Sequence, residues 1–183
     1  MFRSAIPVLA AIFSVCAMSP PARADMIVNG DFSTGDLTGW TRGGNTYASG
    51  ISNMFHSGPY GYEMGPPTTA GFLAQTIATT PGDTYNFSFW VKNASGGVNQ
   101  FTAYWDDIPV LQFINADRFY FTRYSFQMTA LDSSTDIRFV YRHDTDFYGL
   151  DDVSVVHAPE PSSLALVILA AGGVWLIKRK RMI

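Results

Sequence analysis

The chain has 183 residues and a formal net charge of −3, with 47% hydrophobic, 15% aromatic and 15% charged residues. That length holds one domain plus targeting segments, and an acidic balance makes nucleic acid or anionic lipid a poor partner for the domain as a whole. The single cysteine, Cys16, excludes a disulfide framework within the chain.

Residues 1–24 read as a secretory signal peptide. Arg3 is the charged start, residues 5–18 are the apolar stretch, Pro20-Pro21 breaks it, and Ala22-Arg23-Ala24 offers small residues for cleavage before Asp25. Cys16 lies inside this segment, and Phe13-Ser14-Val15 before it makes a poor lipoprotein box, so no lipid anchor is expected. The mature chain then has no cysteine, and its stability rests on a packed core.

Residues 25–157 form the expected domain. They carry six strong cations, Arg42, Lys92, Arg118, Arg123, Arg138 and Arg142, against Glu63 and thirteen aspartates, a balance of −8. The basic residues of the two ends hide this charge. Aspartate in place of glutamate fits turns and Ca2+ better than helices.

No stretch of the domain keeps apolar residues at helical spacing for two turns, whereas period-two runs separated by Gly, Asn, Asp and Pro recur. The pattern predicts a short strand at 26–28, a turn-rich loop at 29–36, and loops with short strands near 47–51. A strand at 72–78 leads through the turn Thr80-Pro81-Gly82-Asp83 into a strand at 84–92. There Tyr85, Phe87, Phe89 and Val91 face one way and Asn86, Ser88, Trp90 and Lys92 the other. Strands at 100–105 and 108–113 make a hairpin about Asp106-Asp107, with Pro109 marking an edge. Strands at 120–130, 137–141 and 149–156 complete the domain. In the first of these Tyr124, Phe126 and Met128 oppose Arg123, Ser125 and Gln127. Eight to ten short strands with aromatic inner faces predict an all-β sandwich of two antiparallel sheets, with Trp40 and Trp105 in its core.

Three blocks carry a family resemblance: Asn29-Gly30-Asp31-Phe32 with Gly39-Trp40, Thr80-Pro81-Gly82-Asp83-Thr84-Tyr85 with Phe89-Trp90-Val91, and Leu150-Asp151-Asp152-Val153-Ser154-Val155. In this order they resemble the jelly-roll modules of the carbohydrate-binding, galactose-binding-domain-like group. The resemblance implies a jelly-roll fold, glycan binding as an expected function, and a structural Ca2+ held by Asp31 and Asp152 with carbonyls near Asn29 and Gly30. Ser33 departs from the family, where an acid often follows the Phe. The alternative is that these aspartates cap turns through backbone N–H groups.

A sugar ring stacks on an aromatic side chain with polar groups around it. If the strands share one sheet, Trp90, Tyr104, Arg123, Gln127 and Arg138 line one open face. The alternative is a solvated face, or one covered by residues 41–61. Catalysis has little support. His56, His143 and His157 sit in no zinc pattern, Ser57 in no nucleophile elbow, and Glu63 stands alone. The carboxylate pairs Asp106-Asp107 and Asp151-Asp152 are neighbours in sequence, which strand alternation turns to opposite faces.

The C-terminal segment, 158–183, has three parts. Pro159-Glu160-Pro161 ends regular structure, an uncharged stretch at 162–177 forms a transmembrane helix, and Lys178-Arg179-Lys180-Arg181 stays cytoplasmic. The apolar core of that stretch, 164–177, is shorter than the ~20 residues of a permanent anchor. This order and spacing resembles the PEP-CTERM sorting signal of exported bacterial proteins, which implies processing by an exosortase. The expected partners are signal peptidase, an exosortase-type enzyme, the inner membrane and polysaccharide. The expected address is the periplasmic side of the inner membrane, then the cell surface or extracellular matrix. The expected function is a non-enzymatic, glycan-binding exported protein. A structural or adhesive surface protein making protein contacts only, and a glycan hydrolase, are the alternatives.

Overall fold

The structure is a computed structural model that describes residues 24–159. Most of the segment expected to be a signal peptide, before Ala24, and of the expected sorting segment, from Glu160 to Lys178, Arg179, Lys180 and Arg181, lies outside the described residues, as does the transmembrane helix expected at 162–177. The described residues contain ten strands and no helix. These are β1 (Thr41–Gly44), β2 (Ser49–Ser52), β3 (Gly61–Met64), β4 (Gly71–Ala78), β5 (Thr84–Asn93), β6 (Asn99–Trp105), β7 (Ile108–Ile114), β8 (Phe119–Thr129), β9 (Ser134–His143) and β10 (Tyr148–His157).

The strands form two five-stranded antiparallel sheets. Sheet A has the order β1-β4-β9-β6-β7 and sheet B the order β2-β3-β10-β5-β8. Alternation along each strand sends one row of side chains between the sheets. In β5, Tyr85, Phe87, Phe89 and Val91 are each at most 1% exposed. Phe89 of sheet B meets Phe139 of β9 at 5.1 Å and Phe101 of β6 at 6.1 Å, so aromatic rings are the material of the inter-sheet core. Trp105 is fully buried and Trp40 nearly so, as expected.

Several boundaries differ from those read in the sequence. Residues 26–28 are not a strand. Met26 N–H bonds Val155 O at 2.9 Å and Val153 N–H bonds Gly30 O at 2.9 Å, so the segment lies beside β10 without a ladder. Gly30 permits that approach, because a Cβ there would stand 1.9 Å from Val153 O. β1 forms where a loop was expected, and β3 where no strand was expected. Each has only four residues, and β1 ends in Gly43-Gly44, so there is almost no alternation to read. The expected turns at Thr80–Asp83 and Asp106-Asp107 are present: Asp83 N–H bonds Thr80 O at 3.1 Å around Gly82, which has φ 86°, and Asp106 has φ 53°. Pro109 lies on β7, an edge strand as expected.

β10 carries the irregularity that matters most. Its register with β5 shifts between Asp151 and Ser154, and Asp152 adopts a φ of 47°. A bulge of this kind re-aims side chains and breaks simple alternation.

Candidate functional site

The outer face of sheet A is concave over β1, β4 and β9. The register explains why. One cross-sheet row runs Thr41, Ala74, Arg138, Tyr104 and Pro109, and the next runs Gly43, Phe72, Val140, Thr102 and Gln112. Small residues at Gly71 and Ala74 lower the floor, leaving a groove of about 650 Å3 bordered by Thr41, Phe72, Thr76, Asp136 and Arg138. The Phe72 ring edge lies against Gly43, where a Cβ would be 2.6 Å away, so glycine gives the ring its place across β1. Thr102 Oγ1, in the second row, is buried without a hydrogen-bond partner among the described residues.

The polar groups of the groove are held in fixed places. The Arg138 guanidinium bonds Asp107 at 3.0 Å, stands 3.7 Å from Asp136, and lies 5.2 Å from the Tyr104 ring centroid. Burial raises the Asp136 carboxyl above its ordinary range, against the pull of Arg138. Further along β9, Arg142 holds Asp144 through two 2.6 Å bonds, and that carboxyl is lowered to about 2. Gln75 is turned inward instead, exchanging two bonds with the Val28 backbone. The groove therefore offers hydroxyls, one carboxylate, one guanidinium and one apolar ring, a set suited to holding a polyhydroxylated molecule.

Trp90, Arg123 and Gln127 are on sheet B, whereas Tyr104 and Arg138 are on sheet A. The single open face expected from the sequence is thus two faces on opposite sides of the sandwich. Within each pair the contacts are close: Trp90 is the cross-strand partner of Arg123, and Tyr104 of Arg138. Neither aromatic ring is bare. Arg138 covers Tyr104, and the His56 ring covers Trp90 at 3.6 Å with 13° between planes.

The His56 loop is the feature that sequence reasoning missed. Asp151 Oδ2 accepts the backbone N–H groups of His56 at 2.7 Å and Ser57 at 2.9 Å. Asp152 takes His56 Nδ1 at 2.7 Å on one oxygen and Ser57 Oγ at 2.6 Å on the other. The β10 bulge is what lets two adjacent carboxylates serve one loop, against the alternation expected of them. Burial raises the Asp151 carboxyl, opposed by its three backbone donors. The legible signal was the Asp-Asp step itself, but not its partner ninety-five residues away.

Asp31 and Asp152 do border one shallow concavity, together with Asp25, Asn29 and Gly30. The donor set does not fit a Ca2+ cage, which needs six to eight oxygens. Both Asp152 oxygens are taken by His56 and Ser57, Asp31 Oδ1 accepts Ser33 N–H at 3.2 Å, and Asp25 Oδ1 accepts the N–H groups of Ile27 and Val155. No group of three His, Cys, Asp or Glu side chains among the described residues is placed to hold a metal. The turn-capping alternative describes Asp31 here.

Residues 24–107 match the family model of a carbohydrate binding domain, CBM_4_9. Solved structures share the fold at low identity. The module TmCBM61, in complex with beta-1,4-galactotriose, is 15% identical over 74% of this chain and 99% of its own, with a TM-score of 0.59. The CBM22-1 xylan-binding domain of Paenibacillus barcinonensis Xyn10C is 15% identical over 78% of this chain and 100% of its own, with a TM-score of 0.52. The K3 cleaved adhesin domain of Lys-gingipain from Porphyromonas gingivalis is 13% identical over 73% and 98%, with a TM-score of 0.55. The described domain therefore shares the jelly-roll sandwich fold of these structures. Among curated protein sequences none matches the chain.

Proposed function

We propose that this chain is an exported bacterial protein of the cell surface or extracellular matrix whose jelly-roll domain binds glycan in the groove of sheet A and catalyses no reaction. The carrying observation is that groove: about 650 Å3, open along the sheet, with Phe72 for an apolar sugar face and Thr41, Thr76, Asp136 and Arg138 for its hydroxyls. The family match over 24–107 and the fold likeness to sugar-binding modules support the same reading. Neutral glycans suit the groove best, because Arg138 and Arg142 are each already matched by aspartate. The Pro159-Glu160-Pro161 step, the apolar stretch and the basic end support sorting by an exosortase-type enzyme after export.

Retention on gels of galactan, xylan and the matrix polysaccharide of the source cell tests the binding reading. Wild-type protein should be retarded on at least one, and Phe72→Ala and Arg138→Gln should each weaken retention by about tenfold. No retention on any of them would leave a structural or adhesive protein that makes protein contacts only. Mass spectrometry of the exported protein tests sorting: a C-terminus near Pro161 supports processing, and an intact basic end on membrane-held protein refutes it.

A further inference from the structure

The six cations of the domain are not treated alike. Arg138 and Arg142, both on sheet A, are neutralised by Asp107, Asp136 and Asp144. Lys92 and Arg123, both on sheet B, have no carboxylate within 4.0 Å among the described residues, and neither has Arg118 just before β8 nor Arg42 of β1, whose guanidinium instead donates to Ser49 O. In a domain with a balance of −8 such cations would find acids readily if their only role were stability.

Their surroundings are ordered. Along the outer face of β5 and β8 the cross-strand pairs are Asn86 with Gln127, Ser88 with Ser125, and Trp90 with Arg123. Lys92 follows, its Nζ 5.4 Å from the Phe121 ring centroid. Arg118 lies 5.1 Å from the ring of Tyr120, which is 76% exposed. Arg123 reaches Ser88 Oγ at 3.3 Å. The His56 ring bridges Trp90 and Phe121, and its Nε2 has no hydrogen-bond partner among the described residues. Acids of the same face stand apart. Asp152 is occupied by His56 and Ser57, and Glu63 is two strands from Lys92 with Gly149 between.

We propose that the outer face along β5 and β8 is a second binding surface, for an anionic polysaccharide bearing carboxylate or sulfate groups. An unpaired cation attracts such a polymer without first giving up an internal ion pair, as Arg138 would have to. Rings under Lys92 and Arg118 hold the long side chains in place while leaving the charged ends in water. The paired hydroxyls and amides supply partners for sugar hydroxyls. The face is a row of strands rather than a groove, so an extended polymer lies along it. A membrane is the poorer occupant, because insertion needs bare apolar side chains, and Trp90 and Phe121 are half-buried beneath His56 and Lys92. With the groove on the opposite sheet, one domain would hold a neutral and an anionic polymer at once.

The test uses the full chain on gels carrying polygalacturonate, dextran sulfate, neutral galactan or polyglutamate, at about 0.1 M salt. Retention on polygalacturonate or dextran sulfate is expected, and the stronger of the two identifies the anionic group. The double variant Lys92→Gln/Arg123→Gln should lose that retention by about tenfold or more, with its melting temperature and its behaviour on galactan unchanged. Failure on galactan alone overturns the groove reading and leaves this one standing. The proposal is overturned if neither anionic glycan retains the wild type, if the double variant is retained equally, or if polyglutamate retains the wild type as strongly as the glycans do.

Discussion

The imidazole of His56 lies flat on the indole of Trp90, 3.6 Å between centroids, with Nδ1 tied to Asp152 at 2.7 Å. A loop residue thus closes the ring face on which a sugar would stack. His56→Ala should uncover Trp90, shift indole emission to the red, and cost about 1–2 kcal/mol through the lost ring pair and charge-assisted bond. Fluorescence and urea unfolding of the same samples check both effects. An unchanged emission spectrum would mean that the loop does not cover Trp90 in solution.

Gly43 and Phe72 make a second testable pair. A Cβ at residue 43 would meet the Phe72 ring at 2.6 Å, so Gly43→Val should push the ring out of the groove. The expected result is weaker retention on the neutral glycan together with a stability loss of about 1–3 kcal/mol from overpacking. Retention equal to wild type would remove Phe72 from the binding surface.

The backbone approach at Gly30 is tighter and carries no ligand role. Gly30→Ala places a methyl group 1.9 Å from Val153 O, a main-chain atom that cannot rotate away. The N-terminal segment should detach from β10 or strain it, at a cost of about 2 kcal/mol or more. Thermal unfolding measures it, and a melting temperature within a degree of wild type would contradict the docking of residues 26–30.

His143 gives the pH dependence. Asn93 donates through Nδ2 to Ala116 O and Asp117 O, so its Oδ1 must accept from His143 Nε2 at 2.9 Å. His143 Nδ1 in turn accepts Asp146 N–H at 3.0 Å. Both nitrogens are satisfied only in the neutral Nε2–H form, and burial lowers the imidazole from its ordinary value near 6.5. The unfolded chain therefore binds a proton that the folded chain resists. The His143 contribution to stability is present above about pH 6.5 and declines as the pH falls below it. Urea midpoints measured from pH 7.5 to pH 5 should fall in wild type and fall less in His143→Gln. Parallel curves for the two proteins would show that His143 is not the group responsible.

Removing divalent metal should leave stability unchanged. The oxygens of Asp31 and Asp152 are already engaged by Ser33, His56 and Ser57. Calorimetry with EDTA and with Ca2+ checks this, and a rise in melting temperature on adding Ca2+ would show that the Asp152 contacts open to admit the ion.

The longer strands were legible because their alternation is strong. Residues 84–92 show Phe and Tyr at every second position, and the core takes those rings. Sheet membership was not legible, since period two tells which side of a strand a residue is on but not which sheet the strand joins. For that reason Trp90 and Tyr104 were grouped on one face and lie on two. The β10 bulge was hidden for a related reason. Asp151-Asp152 reads as ordinary alternation until the αL conformation of Asp152 is known, and that conformation is fixed by contacts with residues 56 and 57. The groove was equally silent, because Gly71 and Ala74 contribute by what they lack.

The position of β10 bears on how the domain carries tension. The chain leaves at residue 159 directly from β10, which is hydrogen-bonded to β3 on one side and β5 on the other, while Ala158 N–H still bonds Thr84 O at 2.8 Å. Were the domain pulled between a ligand on one of its outer faces and an attachment after residue 159, the load would run along this strand. Such a load would shear two ladders together instead of opening one bond at a time, so β10 is among the hardest strands to peel from its sheet.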